Sequence, residues 1–134
     1  MVSLALFQPD IPQNTGAAIR LCACLGTPLH IIEPCGFRWD IKKIRQAAMD
    51  YIDVLERMDG LHIHTSWNKF RSVTHPKDGQ KRRHVLMTTK TDMSYTNFEF
   101  QPNDILIAGR ESSGVPEDVH DACDARITIP MHGE

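Results

Sequence analysis

The sequence has no apolar run near the roughly 18 residues that a membrane-spanning helix needs. Its first residues carry no basic segment ahead of an apolar stretch, so we expect no signal peptide and a cytoplasmic location. No C-x-x-C pair occurs among its four cysteines, Cys22, Cys24, Cys35 and Cys123. We interpret them as buried free thiols in a reducing compartment.

Neither sign of charge dominates, because 15 Lys and Arg residues face 17 Asp and Glu residues. This balance excludes a strongly basic nucleic-acid-binding domain but allows a local basic patch. Basic runs at residues 42–45 and 77–83 are either solvated surface or such a patch. With 134 residues, 41% of them hydrophobic, and no repeat, we expect residues 1–134 to form a single domain with its own core.

Strand-like and helix-like patterns alternate along the chain. Strands are predicted at residues 3–8, 29–33, 51–55, 84–89, 104–108 and 126–129. Helices are predicted at residues 15–25, from Asp40 with Ile41, Ile44 and Ala48 on one face, at 67–73, and from Pro116 to Cys123. Asn14 or Thr15 is expected to cap the first helix, and Gly26 to end it. This alternation predicts an α/β fold, with a mainly parallel sheet and helices on both faces.

Two segments at predicted carboxyl ends of strands can carry chemistry, since such ends are where open α/β sheets bind ligands. In the first, Gly16 permits close approach at a helix start, and Arg20 on the same face can hold a phosphate. The alternative is a capping Asn14 and an ordinary surface arginine. In the second, Gly109 and Gly114 flank a carboxylate, which fits a ligand loop or a plain strand-to-helix turn.

Seven histidines raise the question of a metal site. His62 and His64 can share one face of a strand, but no third ligand lies nearby in sequence and no His-Glu-x-x-His motif occurs. We therefore expect no metal.

Both segments, with four further strings, resemble the SPOUT-class RNA 2′-O-methyltransferases that contain a trefoil α/β knot. Within that class the likeness is to the tRNA (cytidine/uridine-2′-O)-methyltransferases that act at the wobble position. The strings are residues 9–20 (PDIPQNTGAAIR), 30–34 (HIIEP), 36–40 (GFRWD), 88–90 (TTK), 109–114 (GRESSG) and 126–131 (RITIPM). The resemblance covers essentially the whole chain.

The resemblance implies an enzyme that uses S-adenosylmethionine, bound in a bent conformation. By motif position, the cofactor would contact Met87, Thr88, Thr89, Gly109, Glu111, Gly114, Ile129 and Met131. The catalytic residues would be Asn14, Arg20 and Glu111. In the family, the arginine that Arg20 matches helps to activate the ribose 2′-hydroxyl together with a substrate phosphate.

The resemblance also implies a homodimer that recognises a tRNA anticodon stem-loop. In the family, a segment after the Ile-Pro-Met string threads the knot, closes the cofactor pocket and supplies dimer contacts. This sequence ends at Glu134, so we expect a domain truncated at its C-terminus, without that segment. Two alternatives remain open: a non-catalytic RNA-binding domain on the same scaffold, and an unrelated nucleotide-binding α/β protein.

Overall fold

The computed structural model describes residues 2–35, 50–75 and 82–129. Its six strands are β1 Ser3–Phe7, β2 Leu29–Ile32, β3 Leu61–His64, β4 His84–Met87, β5 Ile105–Ala108 and β6 Ala125–Ile127. They form one sheet in the order β3-β2-β1-β5-β4-β6, and every adjacent pair is parallel. The helices of the described ranges are α1 Pro12–Leu25, α2 Tyr51–Arg57, α3 Trp67–Thr74 and α4 Glu117–Ala122, with a 3-10 turn at Tyr95–Asn97.

Helices cover both faces of the sheet, as predicted. On one face, Leu29 and Ile31 of β2 pack with Ile19 of α1 and with Ile52 and Leu55 of α2. The other face holds a second core in which α3 and α4 pack on β1, β2, β4 and β5 through residues that include Ala5, Phe7, Ile32, Phe70, Leu86, Ile105, Ile107 and Val119. Successive strand residues therefore point to opposite sides, and both sides are apolar, as a buried parallel sheet requires.

The strand order places a crevice between β1 and β5. From β1 the chain proceeds outward to β2 and β3, whereas β4 and β6 lie on the far side of β5. The loops that follow β1 and β5 therefore leave the sheet in diverging directions, and ligands of open α/β sheets bind at such a point. No helix in the described ranges is long and apolar enough to cross a membrane.

The third predicted strand is wrong. Residues 51–57 form α2, because Ile52 and Leu55, three positions apart, bury one helical face. The strand itself comes later, at Leu61–His64. The predicted helix from Asp40 lies outside the described residues.

Helix boundaries also differ from expectation. The first helix begins at Pro12 and has Ile11 at its N-cap without a side-chain hydrogen bond, so neither Asn14 nor Thr15 caps it. Gly26 ends that helix in the left-handed region, with φ 67°, as predicted. Helix α4 begins at Glu117 after Pro116, and β6 ends at Ile127, two residues before the predicted end.

The cysteines are all free in the described ranges. Cys22 and Cys123 are buried, as expected, and burial raises the pKa of each thiol to about 11. Cys24 is exposed on α1 and Cys35 is half-buried, so the expectation of burial is wrong for Cys24.

Candidate active site

The carboxyl ends of β4, β5 and β6 open onto a cleft with a volume of about 440 Å³. Six of the eight residues that the resemblance assigned to the cofactor line it: Met87, Thr88, Thr89, Gly109, Gly114 and Ile129. These residues come from three loops that are distant in sequence, and the parallel sheet brings them to one edge. Met131 lies outside the described residues.

The loop after β5 is closed on itself by its own backbone. The N–H of Arg110 donates to the carbonyl of Gly114 at 3.0 Å, and the N–H of Gly114 donates back at 2.8 Å. A Cβ on Gly109 would lie 2.9 Å from the Gly114 backbone, and Gly114 has φ 67°. Gly109 is therefore needed for close approach, and Gly114 suits a left-handed conformation.

Backbone hydrogen bonds tie the loop after β4 to the end of β6. The N–H of Thr88 donates to Ile127 at 2.9 Å, and the N–H of Thr128 donates to Met93 at 2.8 Å. The N–H of Tyr95 in turn donates to Thr128 at 2.9 Å. These contacts fix two walls of the cleft relative to each other.

Glu111 is not among the residues that line the cleft. Its Oε2 instead accepts a hydrogen bond of 3.1 Å from the backbone N–H of Asp10, in the loop after β1. The hydroxyl of Ser112 donates to the Asp10 carboxylate. Hydrogen bonding with Glu111 and Ser112 lowers the pKa of the Asp10 carboxyl. The loops after β1 and β5 are therefore joined, and Glu111 positions a neighbouring loop; its assigned catalytic and cofactor roles stay predictions.

The α1 residues Asn14 and Arg20 lie on the helix that follows β1. Asn14 is exposed in the first turn, while Arg20 is half-buried further along. Gly16 is buried within the helix, so it serves close packing and does not leave an opening for an anion. Catalytic roles for Asn14 and Arg20 remain predictions.

Seven residues of the cleft had no role assigned from the sequence, and three of them have basic side chains: Lys90, Arg110 and His120. Arg110 places its guanidinium over the ring of Phe7, with Cζ 5.4 Å from the ring centroid. The Nε2 atom of His120 is buried and has no hydrogen-bond partner in the described ranges. Lys90 and Arg110 lie in the strings at 88–90 and 109–114 that carry the resemblance, but the sequence assigned no role to their side chains, because tertiary structure places them.

The predicted pairing of His62 and His64 on one strand face is confirmed, since the His30 ring stacks on both. The Nδ1 atom of His30 lies 2.9 Å from Nε2 of His64. Burial, together with the nearby His62 and His64, lowers the pKa of His30 to about 3. His30 and His64 therefore form a neutral, hydrogen-bonded pair.

A different set, His75, His84 and Asp124, has ligand-type atoms within 4.8 Å of one another. It lies at the amino end of β4, away from the cleft. His75 Nε2 is 2.6 Å from the carbonyl of Arg82, and Asp124 accepts the backbone N–H of His84 at 2.8 Å. Nε2 of His84 lies 2.7 Å from the Thr74 hydroxyl, and the expectation of no metal stays a prediction.

Comparison with known protein families shows to which family this chain belongs. The model of the SpoU rRNA Methylase family matches residues 1–134. The chain belongs to this family. It is 51% identical to a tRNA (cytidine(34)-2′-O)-methyltransferase of Beijerinckia indica, over 96% of this chain and 76% of that protein. It is 38% identical to an Escherichia coli K12 protein of the same name, over 98% of this chain and 79% of the other.

Solved structures give the same fold. A structure on 2-OH methylation of C/U34 on tRNA matches with a TM-score of 0.86 and 34% identity, covering 100% of this chain and 82% of that one. An AdoMet-bound rRNA methyltransferase from Sinorhizobium meliloti has a TM-score of 0.77 at 17% identity, covering 99% and 48%. The second likeness shows a shared fold. The α/β class predicted from the sequence is confirmed, and the second alternative, an unrelated nucleotide-binding α/β protein, is excluded.

Proposed function

We propose that this protein transfers a methyl group from S-adenosylmethionine to the ribose 2′-hydroxyl of the wobble nucleotide, cytidine or uridine 34, of tRNA. One observation carries the proposal. Three separate loops, singled out by sequence motifs, together line a single cleft in a chain of the SpoU methylase family. Relatives that are 51% and 38% identical to this chain over the aligned residues carry a tRNA (cytidine(34)-2′-O)-methyltransferase name.

The residues of the cleft fit S-adenosylmethionine. A volume of about 440 Å³ lies within the range of about 300–1,000 Å³ typical of small-molecule sites. Met87, Ala108, Val115 and Ile129 offer apolar contacts to an adenine ring, and the Thr88 and Thr128 hydroxyls can bond polar groups. Bound there, the cofactor supplies a methyl group already activated on a positively charged sulfur, so the transfer needs no metal.

The chain's own residues then have to orient and activate the acceptor. A 2′-hydroxyl is a weak nucleophile until it is aligned and its proton is drawn away. Arg20 would bind a phosphate beside the target ribose and stabilise negative charge on the 2′-oxygen as the proton leaves. Asn14, exposed in the first turn of α1, would help to orient the sugar.

We also propose that the enzyme is a cytoplasmic homodimer that binds the anticodon stem-loop. The surface of α1 supports a dimer, because Leu21, Cys24 and Leu25 form an exposed apolar stripe at helical spacing. A second copy would double the modest basic surface of one chain. Sedimentation of the full-length protein at micromolar concentration should give a dimer, and a fully active monomer would contradict it.

The test of the activity is methyl transfer from labelled S-adenosylmethionine to unmodified tRNA by the full-length protein. Nucleoside mass spectrometry should find 2′-O-methylcytidine or 2′-O-methyluridine. Label on a base would contradict the proposal. Binding of tRNA without any transfer would favour the alternative, a non-catalytic RNA-binding domain.

A further inference from the structure

Arg110 is a cation at the crevice between β1 and β5 that the protein does not neutralise within its described residues. Its guanidinium forms no ion pair or side-chain hydrogen bond there, and its Nε is buried without an acceptor. Glu111, the next residue, accepts from the Asp10 backbone, and Oδ2 of Asp10 accepts from Ser112, while Oδ1 of Asp10 has no hydrogen-bond partner among the described residues. The head group therefore has donors that are available to a ligand.

The side chain of Arg110 rests on a rigid support. Phe7, beneath its guanidinium, is only 2% exposed and meets the Trp67 ring edge-on at 6.0 Å. A cation over an aromatic face is held by the ring quadrupole, while the planar edge of the guanidinium stays open. Such an edge binds an oxyanion through two parallel hydrogen bonds.

The electrostatics of the cleft favour an anion. Lys90 and Arg110 line it, and no Asp or Glu is among the described residues that do so. The whole chain carries a net charge of −2, so this local excess of positive charge is a property of the cleft. S-adenosylmethionine carries a net positive charge despite its carboxylate, so this excess of positive charge in the cleft fits the anionic phosphates of a nucleic acid better.

The position of Arg110 indicates whether its side chain contacts the cofactor or the RNA substrate. The cofactor loops follow β4, β5 and β6, whereas the predicted substrate residues Asn14 and Arg20 lie on α1, after β1. Arg110 belongs to the β5 loop but leans over Phe7 of β1, so it lies between the halves. We propose that Arg110 binds a backbone phosphate of the RNA substrate next to the ribose that is methylated, an inference that rests on the proposed function.

The test compares Arg110→Gln, Arg110→Lys and the control Arg57→Gln with the wild-type full-length protein. Arg57 is exposed at the end of α2, at the amino edge of the sheet, so its change removes the same charge away from the cleft. Binding of an anticodon stem-loop RNA is measured by fluorescence anisotropy at several salt concentrations. Binding of S-adenosylhomocysteine is measured by calorimetry, and thermal unfolding is recorded for every variant.

We expect Arg110→Gln to raise the Kd for RNA by about tenfold, since a charge-assisted hydrogen bond is lost. The slope of log K against log salt should fall by about 0.7, the value for one phosphate contact in single-stranded RNA. Arg110→Lys should keep most of the salt dependence with intermediate affinity, because it keeps the charge but not the planar fork. Arg57→Gln should change neither quantity, and the Kd for S-adenosylhomocysteine should stay within about twofold in all variants.

Two results would overturn the inference. A raised Kd for S-adenosylhomocysteine with unchanged RNA binding would assign Arg110 to the cofactor's carboxylate. Lowered thermal stability with an unchanged salt slope would make it a structural residue. Failure of the proposed function is recognised separately, because the wild-type protein would then transfer no methyl group whatever Arg110 binds.

Discussion

The backbone N–H of Asp10 donates a hydrogen bond of 3.1 Å to the Glu111 carboxylate, across 101 residues of sequence. Asp10 lies in the loop that leads to α1, which carries Asn14 and Arg20, whereas Glu111 lies in the glycine loop at the cleft. This contact therefore joins the predicted substrate half of the site to the cofactor half. A reaction that needs an acceptor oxygen aligned with a methyl group depends on such a connection.

Replacement of Glu111 by alanine should lower methyl transfer at least tenfold, because the loop before α1 loses its anchor. The free energy of unfolding should fall by only about 1 kcal/mol, the usual contribution of one hydrogen bond. Glu111→Gln is the matched control, because its amide oxygen still accepts the N–H of Asp10. Steady-state kinetics and urea unfolding measure both effects; equal losses of activity in the two variants would show that the charge matters and not the tether.

Gly109→Ala should weaken cofactor binding by about tenfold or more. The added Cβ would lie 2.9 Å from the Gly114 backbone and 3.1 Å from Val115, so the loop has to shift. Overpacking of this kind costs about 1–3 kcal/mol. Gly26→Asn is the control, because Gly26 does not line the cleft, its added Cβ would lie 3.9 Å from the nearest atom, and asparagine tolerates its positive φ of 67°. Calorimetric titration with S-adenosylhomocysteine compares them, and unchanged affinity in Gly109→Ala would remove this loop from the cofactor site.

Arg20→Ala should reduce methyl transfer by at least 100-fold, the lower range for loss of a group that assists proton transfer. The helix should persist, since a half-buried arginine outside the core has a small effect on stability. A methyl-transfer assay measures the loss of activity, and circular dichroism with thermal unfolding measures whether the helix and the fold persist. Retained activity would identify Arg20 as a surface residue of α1.

The buried histidine pair should make the protein less stable as the pH falls. The pKa of His30 is lowered to about 3 by burial and by His62 and His64, and burial also lowers the pKa of His64. At pH values between about 3, the pKa of His30 in the folded protein, and about 6.5, that of an unfolded histidine, the unfolded chain binds a proton that the folded chain does not. The free energy of unfolding should therefore decrease from pH 7 towards pH 5.

Urea unfolding at pH 7.5, 6.0 and 5.0 measures this dependence above the range in which exposed carboxylates titrate. The double variant His30→Leu with His64→Leu removes both rings and should show a flatter profile. An unchanged pH dependence in that variant would mean that other groups are responsible.

The sequence predicted the sheet well but misplaced its edge. Residues 51–55 contain Tyr, Ile and Val, which are frequent in strands, yet the packing of Ile52 and Leu55 against α1 makes them helical. The actual strand, Leu61–His64, carries two histidines and lacks a continuous apolar pattern. In the structure this strand is recognised by its pairing with β2, where the His30 ring stacks on the rings of His62 and His64.

At the candidate site, too, local features were predicted from the sequence and contacts between distant segments were not. Gly109 and Gly114 predict a tight loop, because glycine permits close backbone approach and positive φ values that other residues disfavour. Arg110 lies between these glycines, but the role of its side chain was not predicted, since its position over Phe7 depends on the pairing of β1 with β5, in which Leu6 lies opposite Ala108. Contacts between distant segments were therefore the part that sequence patterns did not predict.

The central claim is tested most directly by two tRNA molecules that differ only in the 2′-hydroxyl of nucleotide 34. The full-length protein is incubated with each and with methyl-labelled S-adenosylmethionine, and incorporated label is counted. The account predicts label in the tRNA with ribose at that position and none in the tRNA with 2′-deoxyribose. Equal labelling of the two molecules would contradict it, because the methyl group would then be transferred elsewhere.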